Sequence, residues 1–332
     1  MGSSRTHRGF LTAFPPIPPE KPVCRSRLRW GTLEGVTVLP ASQISPHHAE
    51  HVRLPGGSSE LAALRARLAG GRNPDATVVL LPGYTGSKED FAPILDPLAE
   101  AGFEAVAVDL PGQFESPGLP ERADHRPRPL GEVVAKLVAE LRTDGRPLIL
   151  LGHSYGGVVA REAVVAGAPV DGLVLLCSGP GALPPGPRRQ TLDLGEPVLI
   201  EHGIEGAQRL REAQDTASPA SREQPAELRA FLRRRFLASA PECLLGMADG
   251  LRYEPDRVAE LRAAVHAAGL PVLVSCGVSD DAWSIDSQRD MARRLDAEFV
   301  LIDSASHSPN TENPAGLVTA LVPVWRRWLG SD

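Results

Sequence analysis

The chain has 332 residues, enough to bury a full core in one large domain. Its 35 Lys and Arg against 41 Asp and Glu give a net charge of −6, with no excess of positive charge to hold a phosphate backbone, so nucleic acid is not an expected partner. No run of about 18 apolar residues is present, and the N-terminus lacks the apolar core of a signal peptide, so no membrane span is expected and a cytoplasmic protein is.

Residues 1–45 carry Pro15-Pro16-Ile17-Pro18-Pro19 and scattered arginines without a helix or strand period, which predicts a disordered leader. From His48 to Leu54 and from Glu60 to Leu68 two short segments, bounded by Pro55-Gly56-Gly57 and Gly70-Gly71, suit an antiparallel hairpin; the second would also suit a helix. Ala76 to Leu81 reads as a buried strand running into Pro82-Gly83-Tyr84. Phe91, Ile94, Leu95 and Leu98 then fall at helical spacing, and Phe103 to Leu110 is the next strand.

After an amphipathic stretch from Leu130 to Arg142 comes the segment that organises the chain. The apolar run Pro147 to Leu151 meets Gly152-His153-Ser154-Tyr155-Gly156, followed by helix-forming residues. Glycines flanking a serine permit a sharp turn and a close approach of helix to strand, which would lift the Ser154 hydroxyl above the sheet edge beside the positive end of a helix. A serine at neutral pH still needs a base, and the base an orienting acid. Without them the pentapeptide is only a glycine-rich turn.

Leu173 to Cys177 is another strand. From Leu183 to Ala264 the strand and helix alternation stops, giving way to helical pieces such as Ala226 to Leu237 and Arg257 to Ala268, expected as a cap. The triplet Arg233 to Arg235 within it is expected on a solvated helix face. Strands return at Pro271 to Ser275 and Glu298 to Ile302, and a loop with His307 leads to a last helix. That helix should begin at Asn313-Pro314 and be kinked or interrupted at Pro323. The alternation predicts a parallel sheet with helices on both faces. Cys24, Cys177, Cys243 and Cys276 show no metal-ligand spacing and are expected as buried free thiols.

From about residue 48 onward the chain resembles the α/β-hydrolase superfamily, in a serine-nucleophile branch similar to esterases, lipases and haloperoxidases. Four blocks carry the likeness in order: Pro82-Gly83-Tyr84, the turn at Ser154, Gly277-Val278-Ser279-Asp280 after a strand, and Ser306-His307-Ser308-Pro309. The resemblance implies an α/β-hydrolase fold with a mostly parallel sheet. Residues 46–182 and 265–332 would form the hydrolase core, with 183–264 as the cap.

It implies Ser154 as nucleophile, His307 as base and Asp280 as the orienting acid, Asp281 then capping its loop. Asp281 is the other carboxylate that could take the acid's place. The Tyr84 and Tyr155 amides would form the oxyanion hole, although Pro82 stands where the family commonly has histidine. The loop from Asp109 to Ser116 matches a family loop whose acid ties down backbone, and His153 is expected to pack and hydrogen-bond. The expected activity is hydrolysis of a small or medium carboxylic ester through an acyl-enzyme, with a small-molecule acyl substrate, no cofactor and no metal. Acyl transfer by the same residues, or ligand binding with little turnover, are the alternatives.

Overall fold

The computed structural model describes residues 32–33, 36–37, 40–57, 60–142, 145–217 and 222–330. They fall into two compact units, Met1–Pro40 and Ala41–Asp332. In the first, β1 (Thr32–Leu33) pairs antiparallel with β2 (Val36–Thr37). The rest of the leader through residue 39, Cys24 included, lies outside the described residues, and residues 41–45 belong to the second unit rather than to the leader.

The second unit is built on eight strands: β3 (Glu50–Pro55), β4 (Glu60–Ala66), β5 (Ala76–Leu81), β6 (Phe103–Val108), β7 (Leu148–His153), β8 (Gly172–Leu176), β9 (Val272–Gly277) and β10 (Glu298–Ile302). Their order across the sheet is β10-β9-β8-β7-β5-β6-β4-β3. β4 pairs antiparallel with both β3 and β6, which makes the segment after Gly57 a strand and not a helix; the pairs from β6 to β10 are parallel. Fully buried apolar strands are what a sheet covered on both faces requires.

Side chains alternate between the two faces with a period of two residues. Val79, Leu81, Leu148 and Leu150 enter one cluster with α2 (Pro127–Leu141), α3 (Tyr155–Val165), α7 (Val258–Ala268) and α8 (Ile285–Leu295). Val78, Leu80, Ile149 and Leu151 enter the other with α1 (Ala92–Glu100) and α10 (Pro314–Leu329).

Between β8 and β9 the chain leaves the sheet for α4 (Pro187–Ala217, broken at Gly203), α5 (Ala226–Ala238) and α6 (Pro241–Tyr253). α7, expected within the cap, instead returns to pack on α3 and α8, burying Val258, Leu261 and Val265 in the sheet core. The insertion therefore closes near residue 254. The helix is not interrupted at Pro323: α10 runs through it, with Pro323 on the exposed side, where the carbonyl it leaves unpaired can reach water. After the short α9 (Pro309–Glu312), Asn313 caps α10, its Oδ1 accepting from Gly316 N at 3.0 Å.

Candidate active site

β7 ends at His153, and Ser154 takes φ 55° and ψ −119° before α3 begins at Tyr155. That is a strained conformation for a residue with a side chain. The strand and helix hold it there: Ser154 N donates to Leu176 O at 2.8 Å. A Cβ at Gly152 would strike the Gly156 carbonyl, and one at Gly156 would strike the carbonyls of Leu81 and Pro82.

His307, in the loop after β10, is 7% exposed, and its Nε2 lies 2.9 Å from Ser154 Oγ. Its Nδ1 lies 2.8 Å from Asp280 Oδ1. With the ring proton on Nδ1 donated to Asp280, Nε2 is left to accept from the serine hydroxyl. Asp280 follows β9. Its Oδ1 also accepts from Ala282 N at 2.9 Å and its Oδ2 from Gln288 Nε2 at 2.9 Å. Burial alone would push this carboxyl up, but the hydrogen bond and charge of His307, with the Ala282 amide and Gln288, bring it below the usual carboxylate range.

Asp281 is exposed and pairs with Arg188 at 2.6 Å, so Asp280 itself, and not Asp281, caps the loop at Ala282. His153 Nε2 donates to His307 O at 2.6 Å. Burial, then the nearby His307, push the His153 pKa down to about 4, so it stays neutral.

Tyr155 opens α3, where a helix leaves its first N–H groups without an intrahelical acceptor. Its own ring is buried, and the phenol donates to His125 O at 2.7 Å. The N–H of Tyr84 has no backbone acceptor among the described residues, and Gly83 before it would bring a Cβ to 3.0 Å from Ser154 Cβ. Gln113 Nε2 donates to Gly83 O at 2.8 Å, fixing this peptide.

Behind the same loop, Asp109 accepts from Lys88 N at 2.6 Å, from Lys88 Nζ at 3.0 Å and from Glu115 N at 3.2 Å. The expected backbone tie is made, and a buried lysine shares it. Lys88 Nζ also meets Glu89 and Glu115, each at 2.8 Å. With one cation facing three carboxylates, burial pushes Asp109, the deepest of them, up to about 7.

A cavity of about 470 Å³ opens on Ser154 and His307. Gly83, Tyr84 and His153 form its sheet side, and cap residues such as Leu192, Leu199, Phe236 and Leu244 its apolar wall. Three residues with no sequence motif stand here. Trp283, its ring 6.5 Å from that of His307, donates to Ala182 O at 3.2 Å. Gln288 steadies Asp280. Arg235 is 7% exposed and pairs with Asp90 at 2.6 Å, which corrects the solvated face expected for the whole arginine triplet; Arg233 and Arg234 are exposed, Arg233 on Glu212. The partners of Trp283 and Arg235 lie 101 and 145 positions away, so local spacing carries no signal of them; Gln288 is only 8 positions from Asp280 but sits in no motif.

Cys177, Cys243 and Cys276 are buried free thiols. Ligand atoms of His153, Cys177 and His307 lie within 4.8 Å of one another, as do those of Asp280, Asp281 and His307. Burial raises the Cys177 pKa well above its ordinary value, which makes it a poor metal ligand, and both ring nitrogens of His307 are already engaged.

A family model described as the alpha/beta hydrolase family matches residues 78–320. A 2-succinyl-6-hydroxy-2,4-cyclohexadiene-1-carboxylate synthase of Salmonella paratyphi B is 26% identical over 277 residues, covering 79% of this chain and 99% of the relative. Among solved structures, a thermophilic esterase from Thermogutta terrifontis superposes with a TM-score of 0.66 at 22% identity, covering 84% of this chain and 99% of that one. MenH from S. aureus gives 0.64 at 18%, covering 82% and 99%. At these identities the two structures speak for the fold.

Proposed function

The chain belongs to the alpha/beta hydrolase family and is an enzyme of hydrolase type, and on that footing we propose that it cleaves a carboxylic ester through an acyl-enzyme on Ser154. The observation that carries this reading is the unbroken relay Ser154 Oγ, His307 Nε2, His307 Nδ1, Asp280 Oδ1 at the floor of a cavity.

His307 Nε2 takes the hydroxyl proton as Ser154 Oγ bonds to the acyl carbon, while Asp280 stabilises the imidazolium that forms. The Tyr84 and Tyr155 amides are assigned to the oxyanion. As the ester C–O bond breaks, His307 returns the proton to the departing alcohol. Water, deprotonated by His307, then attacks the acyl carbon, and the acid departs as the bond to Ser154 Oγ breaks and His307 returns the proton to that oxygen. Residues 183–254 serve as the cap that shapes the pocket, which at about 470 Å³ suits a small or medium acyl compound.

A panel of p-nitrophenyl esters of increasing acyl length tests the reading. Turnover with an optimum length, lost in Ser154→Ala and His307→Ala, is expected; turnover retained by either variant rejects it. An added alcohol that diverts product into a new ester would make acyl transfer the physiological reaction. A second reading, a synthase reaction on a non-ester substrate, is favoured by the synthase relatives that match 79% of the chain. Phosphonate labelling at Ser154 without turnover of any ester would support that one.

A further inference from the structure

The cavity holds a charge that the proposed acyl-enzyme chemistry does not use. Three arginines line it. Arg188 is committed to Asp281 and Arg235 to Asp90. Arg211, on α4, has neither a carboxylate nor a carbonyl within hydrogen-bonding distance among the described residues. Its guanidinium lies over the Phe236 ring, 4.2 Å from the centroid, so it is held in place by stacking while its donors are unspent.

Burial, and then the like charge of Arg235, lower its pKa. A guanidinium stays protonated even so, and withdrawing it from water without a partner is costly. Asp215, the carboxylate whose charge acts on it, is exposed and makes no ion pair with it. The apolar wall beside Arg211, from Leu199, Leu244 and Phe236, would accept methylene groups between the reacting carbonyl at Ser154 and a charged end.

We propose that Arg211 is the anion subsite of this pocket, and that the substrate is an ester whose acyl chain ends in a carboxylate, a half-ester of a dicarboxylic acid. The guanidinium fork matches the two oxygens of a carboxylate. A single unspent arginine with Asp215 close by suits one negative charge and not the two of a phosphate. The proposal rests on the hydrolase reading for its ester bond, but the recognition of the acid end does not depend on which reaction Ser154 performs.

The test uses the full chain. The mono-p-nitrophenyl esters of adipic and suberic acids are compared with p-nitrophenyl hexanoate and octanoate, in wild type, Arg211→Met and Arg211→Lys. Wild type should favour the acid-ended ester by about tenfold or more in kcat/KM, carried by KM, as one charge-assisted pair provides. Arg211→Met should lose that preference, and Arg211→Lys should retain part of it.

A wild-type ratio of one or less overturns the proposal, and so does a preference that survives in Arg211→Met. If no ester is turned over, the hydrolase reading fails and the subsite is read by calorimetry on Ser154→Ala with adipate. Binding that disappears when Arg211→Met is added sustains it. Absence of binding, or binding indifferent to Arg211→Met, overturns it.

Discussion

Asp280 does two jobs with different oxygens: Oδ1 holds the His307 ring and the Ala282 amide, and Oδ2 is anchored by Gln288. Replacing it with Asn keeps the shape but favours the wrong tautomer of His307, so Asp280→Asn should lower kcat by about a thousand- to ten-thousandfold with KM nearly unchanged. Gln288→Leu should lower kcat by less, which steady-state kinetics would check. Asp109 makes a pH prediction. Its folded pKa of about 7 lies above the unfolded value of about 4, so its contribution to stability is complete below pH 4 and lost as pH rises through 7. Urea unfolding should therefore show stability falling between pH 5 and pH 8, and Asp109→Asn should flatten that slope; an unchanged slope would place the titration elsewhere. Ser154, Asp280 and His307, joined through the two ring nitrogens of His307, were legible in the sequence because each sits in a short motif after a strand. Gln288, Arg235 and Arg211 were not. A helix presents its arginines every few residues whether they face water or a cavity, and only the packing of the cap distinguishes them.

The strands were the most readable elements. An uncharged run such as Leu148 to Leu151 fits a sheet buried on both faces, and Leu150→Ala there should cost about 2–5 kcal/mol by denaturant titration. Helix limits were less readable. α7 looks on its own like another cap helix, and its place in the core follows from Val258, Leu261 and Val265 meeting α3 and α8, which no local pattern states. Pro323 does not interrupt α10, on whose exposed side it lies. The cap is tied to the core by the Arg235–Asp90 pair, and Asn310 Nδ2 donates to the Asp90 carbonyl at 2.6 Å. Arg235→Met leaves Asp90 without its charged partner and should destabilise the fold by about 3–5 kcal/mol, with much of that recovered in the double variant Arg235→Met, Asp90→Asn, which keeps the acceptor for Ser87 N. Recovery absent from the double variant would mean that the pair acts through packing and not through charge.

At the scale of the whole molecule, an eight-stranded sheet carries the serine, the acid and the histidine on the loops after three different strands and delivers them to the same end of the sheet. Among the described residues no helix is long and apolar enough to cross a membrane. The insertion contributes the apolar wall and the arginines of the cavity and none of the three relay residues, which all follow strands of the sheet. The direct test is the intact mass of the protein after exposure to a fluorophosphonate, run beside Ser154→Ala and His307→Ala. A single adduct on wild type, missing from Ser154→Ala and formed far more slowly on His307→Ala, is the expected result. No adduct under conditions that label a control serine hydrolase, or an adduct that persists in Ser154→Ala, would contradict a nucleophile at Ser154.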